Sequence, residues 1–133
     1  MSYYNTPNLN KIMIVGNVVS DPRISFTNET KVKVANFRIA CNRKFKTRSN
    51  ILKEEACFVS ITAWLRLAEI CDQNLKKGDR VYIEGSLQSK ILLDGKTSVV
   101  EILAENIQIL TPKKIQLISP ENLEDNIEEI NNN

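Results

Sequence analysis

The 133-residue chain has no histidine, one tryptophan, four glycines, four prolines and three cysteines. Without histidine no side chain ordinarily titrates near neutrality, and general base catalysis loses its usual agent. Zinc loses its commonest nitrogen ligand, and Cys41, Cys57 and Cys71 are too few and too scattered for a thiolate cage. The same odd set argues for free thiols in a reducing compartment. No Gly-rich phosphate loop or Ser-Lys pair is present, and neither Asp21 nor Glu54-Glu55 reads as part of a two-carboxylate centre. No catalytic residue, cofactor or metal is therefore expected, and the chain does not read as an enzyme. No apolar run reaches bilayer-spanning length and no leader is evident. A soluble protein without a membrane partner is expected, cytoplasmic or nucleoid-associated, or in an organellar matrix if the source is eukaryotic.

What is present is charge, unevenly placed. The formal net charge is only +2, yet all 18 lysines and arginines lie in residues 1–118. Residues 119–133 carry five acids and no base, leaving a basic body and an acidic end. The densest basic stretch, Arg43 to Lys53, holds Arg43, Lys44, Lys46, Arg48 and Lys53 around Phe45, with no acid. It lies between two strand-like runs and reads as a long basic loop carrying a ring. Phosphates attract the cations and unpaired bases stack on the ring, so the stretch points to single-stranded nucleic acid.

Periodicity supplies the frame. Residues 1–9 read as a flexible arm. Residues 11–19 are strand-like, with a bulge or bend expected at Gly16-Asn17, and Asp21-Pro22 starts a turn. Residues 23–26 resume an extended pattern, and 31–41 alternate with a one-residue slip that predicts a second bulge near Ala35-Asn36. Residues 57–64 form another strand. Leu67, Ile70, Cys71 and Leu75 then fall at helical spacing, closed by Lys76, Lys77 and Gly78. Two more strands, 79–90 and 97–110, flank Asp94-Gly95. Five strands with one short helix between the third and fourth predict an all-β, five-stranded Greek-key OB-fold barrel. The domain is expected over residues 10–112, and 113–133 as an acidic, flexible tail.

Within that frame Phe58, Ser60, Thr62 and Trp64 share one strand face, opposite Val59, Ile61 and Ala63. Hydroxyls between two rings are unlike a core, so Phe58 and Trp64 are expected outside with Phe45. Packing of Trp64 on the helix is the plainer alternative. Candidate phosphate contacts are Arg23, Lys33, Arg38, Arg66, Lys90 and Lys96, together with the five cations of the basic stretch. Tyr82, on the phase opposite Val81 and Ile83, is placed on an outer barrel face.

The runs Leu9–Asn17, Asp21-Pro22, Val34–Ala40, Leu67-Ala68-Glu69 and, most specifically, Leu75–Gly85 (LKKGDRVYIEG) resemble the bacterial and organellar single-stranded DNA-binding protein family, of homotetrameric OB-fold type. The resemblance covers residues 9–110. It implies sequence-independent binding and protection of single-stranded DNA in replication, recombination and repair. It places the family's stacking positions at Phe45, Phe58 and Trp64, and a third tryptophan position at Leu92. With Tyr82, Leu92 is expected to offer a weaker platform. The resemblance also implies a homo-oligomer, a tetramer, with replication or repair proteins recruited through the acidic tail. Here the tail ends Asn131-Asn132-Asn133, without the family's terminal Pro-Phe. Two alternatives stay open: a primosomal-type OB-fold dimer serving mainly protein interaction, and an RNA-binding OB protein.

Overall fold

Seven elements make up the computed structural model, which describes residues 7–112. They are β1 (Ile12–Val18), β2 (Arg23–Phe26), β3 (Lys33–Lys46), β4 (Leu52–Trp64), α1 (Arg66–Asn74), β5 (Arg80–Ile91) and β6 (Ser98–Ile109). Most of the expected arm and all of the expected tail from residue 113 lie outside the described residues.

Strict apolar alternation turns these strands into a barrel. Phe37 and Ile39 of β3, Ile61 and Ala63 of β4, and Val81 and Ile83 of β5 are all buried, while Arg38, Tyr82 and Glu84 lie on the outer phase, as does Thr62, which is nonetheless covered. The strands run in the order β1-β5-β6-β4-β3, and β3 returns to β1 through Asn17↔Ala40 and Val18↔Ile39. β4 and β6 pair in parallel at Ile61↔Ile102 and Thr62↔Leu103. β2 adds a short antiparallel strand on β3. This is the expected five-stranded OB barrel, with its helix after the third barrel strand.

The helix α1 packs against β3, β4 and β6, burying Ala68 and Cys71. Lys33 fixes it from the β3 side, with its ammonium 2.6 Å from both Glu69 and Asp72. Those two hydrogen-bonded carboxylates, Asp72 first, raise the Lys33 pKa.

Local details depart from the sequence reading. No bulge marks Gly16-Asn17: the β1–β5 register runs unbroken from Ile12 to Asn17. Gly16 is instead a point of close approach, where a Cβ would lie 2.7 Å from the Ala40 carbonyl oxygen. The slip near Ala35-Asn36 is not a bulge either, since β3 pairs with β4 continuously from Val34 to Lys46. Val34 breaks the period because it is buried on the outer phase, opposite Trp64. The irregularity that does occur falls at Glu84/Gly85. There a Cβ on Gly85 would sit 2.1 Å from the Leu103 carbonyl oxygen. Finally, the basic stretch is no loop. Arg43–Lys46 and Leu52-Lys53 are paired strand, and only Thr47–Ile51 turn. The alternation was hidden because the charges at Arg43, Lys44 and Lys46 occupy both faces of a ribbon that projects beyond the core.

Candidate nucleic-acid interface

The unbroken β3–β4 register decides which side chains meet. Cross-strand partners share a face, so Val34↔Trp64, Asn36↔Thr62, Arg38↔Ser60 and Ala40↔Phe58 share the outer phase, on which Val34 and Thr62 are covered by their neighbours. Thr62 donates a 2.9 Å hydrogen bond to the Asn36 side-chain oxygen. The Arg38 guanidinium stands 5.6 Å from the Phe58 ring centre. Phe58 is 53% exposed and Trp64 40%, so both rings are partly open to solvent.

The β5–β6 hairpin forms the other wall. A groove of about 540 Å³ runs between Arg23, Asn36, Arg38 and Ser60 on one side and Lys90, Leu92, Val99 and Val100 on the other. A second hollow of about 300 Å³ continues it past Gln88 and Ser89 to Thr62 and Trp64. Asn36, Lys90 and Glu101 line both. Glu101 forms the floor: it is 5% exposed and accepts a 2.9 Å hydrogen bond from Gln88 Nε2. Three exposed cations, Arg23, Arg38 and Lys90, stand in the same groove. A carboxylate below and cations above sort an incoming strand. Such an arrangement attracts anionic groups at the rim and disfavours them at the floor.

The expected residues therefore separate. Arg23, Arg38, Lys90, Leu92 and Trp64 line the groove, with Phe58 on the adjoining surface. Phe45 does not join them, because it falls on the opposite phase of the ribbon, paired with Lys53. Its ring is covered by Arg43 at 4.9 Å, and Arg43 also reaches Glu55 at 3.6 Å. Lys44 faces Glu54 across the ribbon. Lys46, Arg48 and Lys53 form no ion pair with any described residue. Lys33 is withdrawn from the set of free cations by Glu69 and Asp72. Arg66 opens α1, and Lys96 lies in the β5–β6 turn, outside both hollows. Tyr82 is at the far end of β5, opposite Val15 and Gln108. Its hydroxyl donates a 2.8 Å bond to Glu84, which raises the phenol pKa and lowers that of Glu84.

Sequence reasoning missed the groove's neutral and acidic lining. Asn36, Gln88 and Glu101 carry no motif, and only the register brings them beside Ser60, which the strand phase already places outside. One signal was available: polar residues at two-residue spacing on strands whose other phase is apolar.

The model of the Single-strand binding protein family matches residues 9–110. The chain is 41% identical to "Single-stranded DNA-binding protein 2" of Chlorobaculum tepidum over 111 residues, covering 81% of this chain and 75% of that protein. It is 35% identical to the single-stranded DNA-binding protein of Caldanaerobacter subterraneus, covering 79% and 70%. Among solved structures, the Plasmodium falciparum SSB in complex with ssDNA superposes with a TM-score of 0.70 at 32% identity, over 80% of this chain and 99% of that one. The family match takes in every strand from β1 to β6, and this chain belongs to the single-strand binding protein family.

Proposed function

We propose that this chain binds and protects single-stranded DNA without sequence preference, as a protein of replication, recombination and repair. The observation that carries the proposal is the outer groove between β3–β4 and β5–β6, with Trp64 at one end, Leu92 at the other, and Arg23, Arg38 and Lys90 along it. Bases stack on Trp64 and Phe58 while phosphates take the cations. A duplex keeps its bases stacked inside and cannot use the rings. In this reading the groove acts by binding, with no reaction required.

Binding is multivalent in this reading. The edge of β1 from Ile12 to Gly16 is paired only with β5, since β3 reaches β1 only at Asn17 and Val18. That free edge is where a second copy would add. A homotetramer would present several grooves to one strand and gain avidity. Light scattering of the full chain reads the number of subunits.

The decisive test of function is a titration of the Trp64 fluorescence with dT oligomers at two salt concentrations. The single tryptophan makes the signal site-specific. Quenching with tight, salt-weakened binding is expected, together with preference over matched duplex and RNA. No binding at low salt overturns the proposal.

A further inference from the structure

Cys41 and Cys57 stand directly opposite one another across the β3–β4 ladder, and both are free thiols. Two backbone bonds give the phase of that ladder. Leu65 N–H donates to the Lys33 carbonyl at one end, and Thr47 N–H to the Ile51 carbonyl at the other. Hydrogen-bonded pairs recur at every second residue. Lys33, Cys41 and Thr47 share that phase, so Cys41↔Cys57 is a hydrogen-bonded pair. Its Cα atoms are then about 5.5 Å apart, inside the range of about 4.4–6.8 Å that a disulfide spans. Their side chains leave the same face of the ribbon. Cys57 is exposed and Cys41 half-buried, so one thiol is open to solvent with the other beside it. Among the described residues no group of three or more metal-ligating side chains forms.

We propose that Cys41 and Cys57 form a reversible redox pair that closes to a cross-strand disulfide when a hydroperoxide reaches the root of the ribbon. The Cys57 thiolate attacks the peroxide oxygen, the O–O bond breaks, and a sulfenic acid forms with release of one water (or alcohol). The Cys41 sulfur then displaces the hydroxyl, which leaves as water, and the S–S bond forms. Two thiols have lost two electrons and two protons to the peroxide. A dithiol reductant restores both by exchange. A hydrogen-bonded pair holds its Cβ atoms wider than the mean of about 3.8 Å in disulfides, so the bridge pulls on the ladder and is easily reduced. It sits one residue before Phe58 and four before Phe45 in their strands. Any change of DNA affinity on oxidation rests on the function proposed above, whereas the bridge itself does not.

The test uses the full chain treated with hydrogen peroxide, then alkylated with N-ethylmaleimide, digested and mapped by mass spectrometry. The expected product is a peptide joining Cys41 to Cys57, lighter by two hydrogen atoms, absent after dithiothreitol and absent from the Cys57→Ser variant. Buried Cys71, its thiol pushed up to about 12 by burial, is the internal reference and should still be alkylated once the chain is unfolded. A mixture of nitrogen-15-labelled and unlabelled chains separates bridges within a chain from bridges between chains. Joined peptides labelled in both halves or in neither support the proposal. Peptides of mixed label overturn it, as do Cys41 and Cys57 recovered unlinked after the peroxide has been consumed.

Discussion

Two long hairpins leave the same barrel with opposite surfaces. The β3–β4 ribbon is regular along its whole register and carries Arg43, Lys44, Lys46, Arg48 and Lys53 around one ring. The β5–β6 hairpin is broken by an irregularity at Gly85 and ends in exposed Ile91, Leu92, Leu93, Val99 and Val100, with Lys90 and Lys96 at its sides. Charge acts at a distance and is screened by salt, whereas apolar contact acts only on touching and is not. In the function proposed, the ribbon would collect a polyanion and the hairpin would grip what has arrived. Trp64 lies where the two surfaces meet, in a hollow lined by Val34 of one and Gln88 of the other.

Removing that shared ring should have the largest effect. For single-strand-binding OB-folds as a class, losing one stacking ring costs about 1–3 kcal/mol per base. Trp64→Ala is expected to weaken dT binding about 5- to 150-fold, by anisotropy of a labelled oligomer. The factor should hold at low and high salt, because stacking is unscreened. Phe58→Ala should cost less, since Arg38 can still present its planar face. A loss for Trp64→Ala that disappears in salt would mean that the two hairpins do not share a stacking site.

Neutralising the ribbon should change the slope more than the strength. Lys46, Arg48 and Lys53 are without ionic partners among the described residues, as is Lys44, which forms no ion pair with its cross-strand neighbour Glu54, so these cations have charge to give. Each phosphate neutralised contributes about 0.7 to the salt slope on single strands. The triple change to Gln should lower the slope of log affinity against log salt by about 2. The Arg43→Gln change should move it less, because Glu55 already offsets that charge. An unchanged slope for the triple variant would remove the ribbon from the DNA path.

The contrast between the hairpins also explains what was legible in the sequence. The barrel was, because burial enforces alternation: Val81 and Ile83 against Tyr82 and Glu84 can be read directly. Phe58 and Trp64 were legible for the same reason, lying on the phase that Ile61 and Ala63 do not use. The ribbon was not, because beyond the core both faces meet water and no period survives. Phe45 was thus grouped with rings from which the register separates it. The bulge expected near Ala35-Asn36 failed, and of the bulge or bend expected at Gly16-Asn17 the bulge is absent, because a one-letter pattern cannot distinguish an extra residue from Val34 buried on the outer face, or from a glycine such as Gly16 required by a neighbouring strand. Glu101 was invisible: only the pairing with Gln88 and the hairpin above it make a groove floor of an ordinary acid.

A ring can be restored to the hairpin. Leu92 is 41% exposed on the groove wall, with open space beside it. Leu92→Trp should tighten dT binding by about 1 kcal/mol, roughly fivefold, with the salt slope unchanged. Weaker binding would show that the aliphatic tip already packs on the strand better than a ring can.

The smallest effect separates the two turns. At the hairpin tip the Asp94 carboxylate accepts bonds from the Lys96 and Thr97 N–H groups and from the Thr97 hydroxyl. The Thr97 bonds first, then that from Lys96, hold its pKa below the usual carboxylate range. A depressed folded value means that the stabilisation is complete above the unfolded pKa and is lost as pH falls through the folded one. The tip should therefore loosen in acid, seen as a shift of the Lys96 and Thr97 amide signals in that window. Asp94→Ala should abolish the transition. The ribbon turn is closed instead by Thr47, whose hydroxyl accepts from Ile51 N–H and does not titrate in that range. Its amides should stay still over the same interval. If both turns move together, the cause is global acid unfolding rather than the carboxylate at the tip of one hairpin.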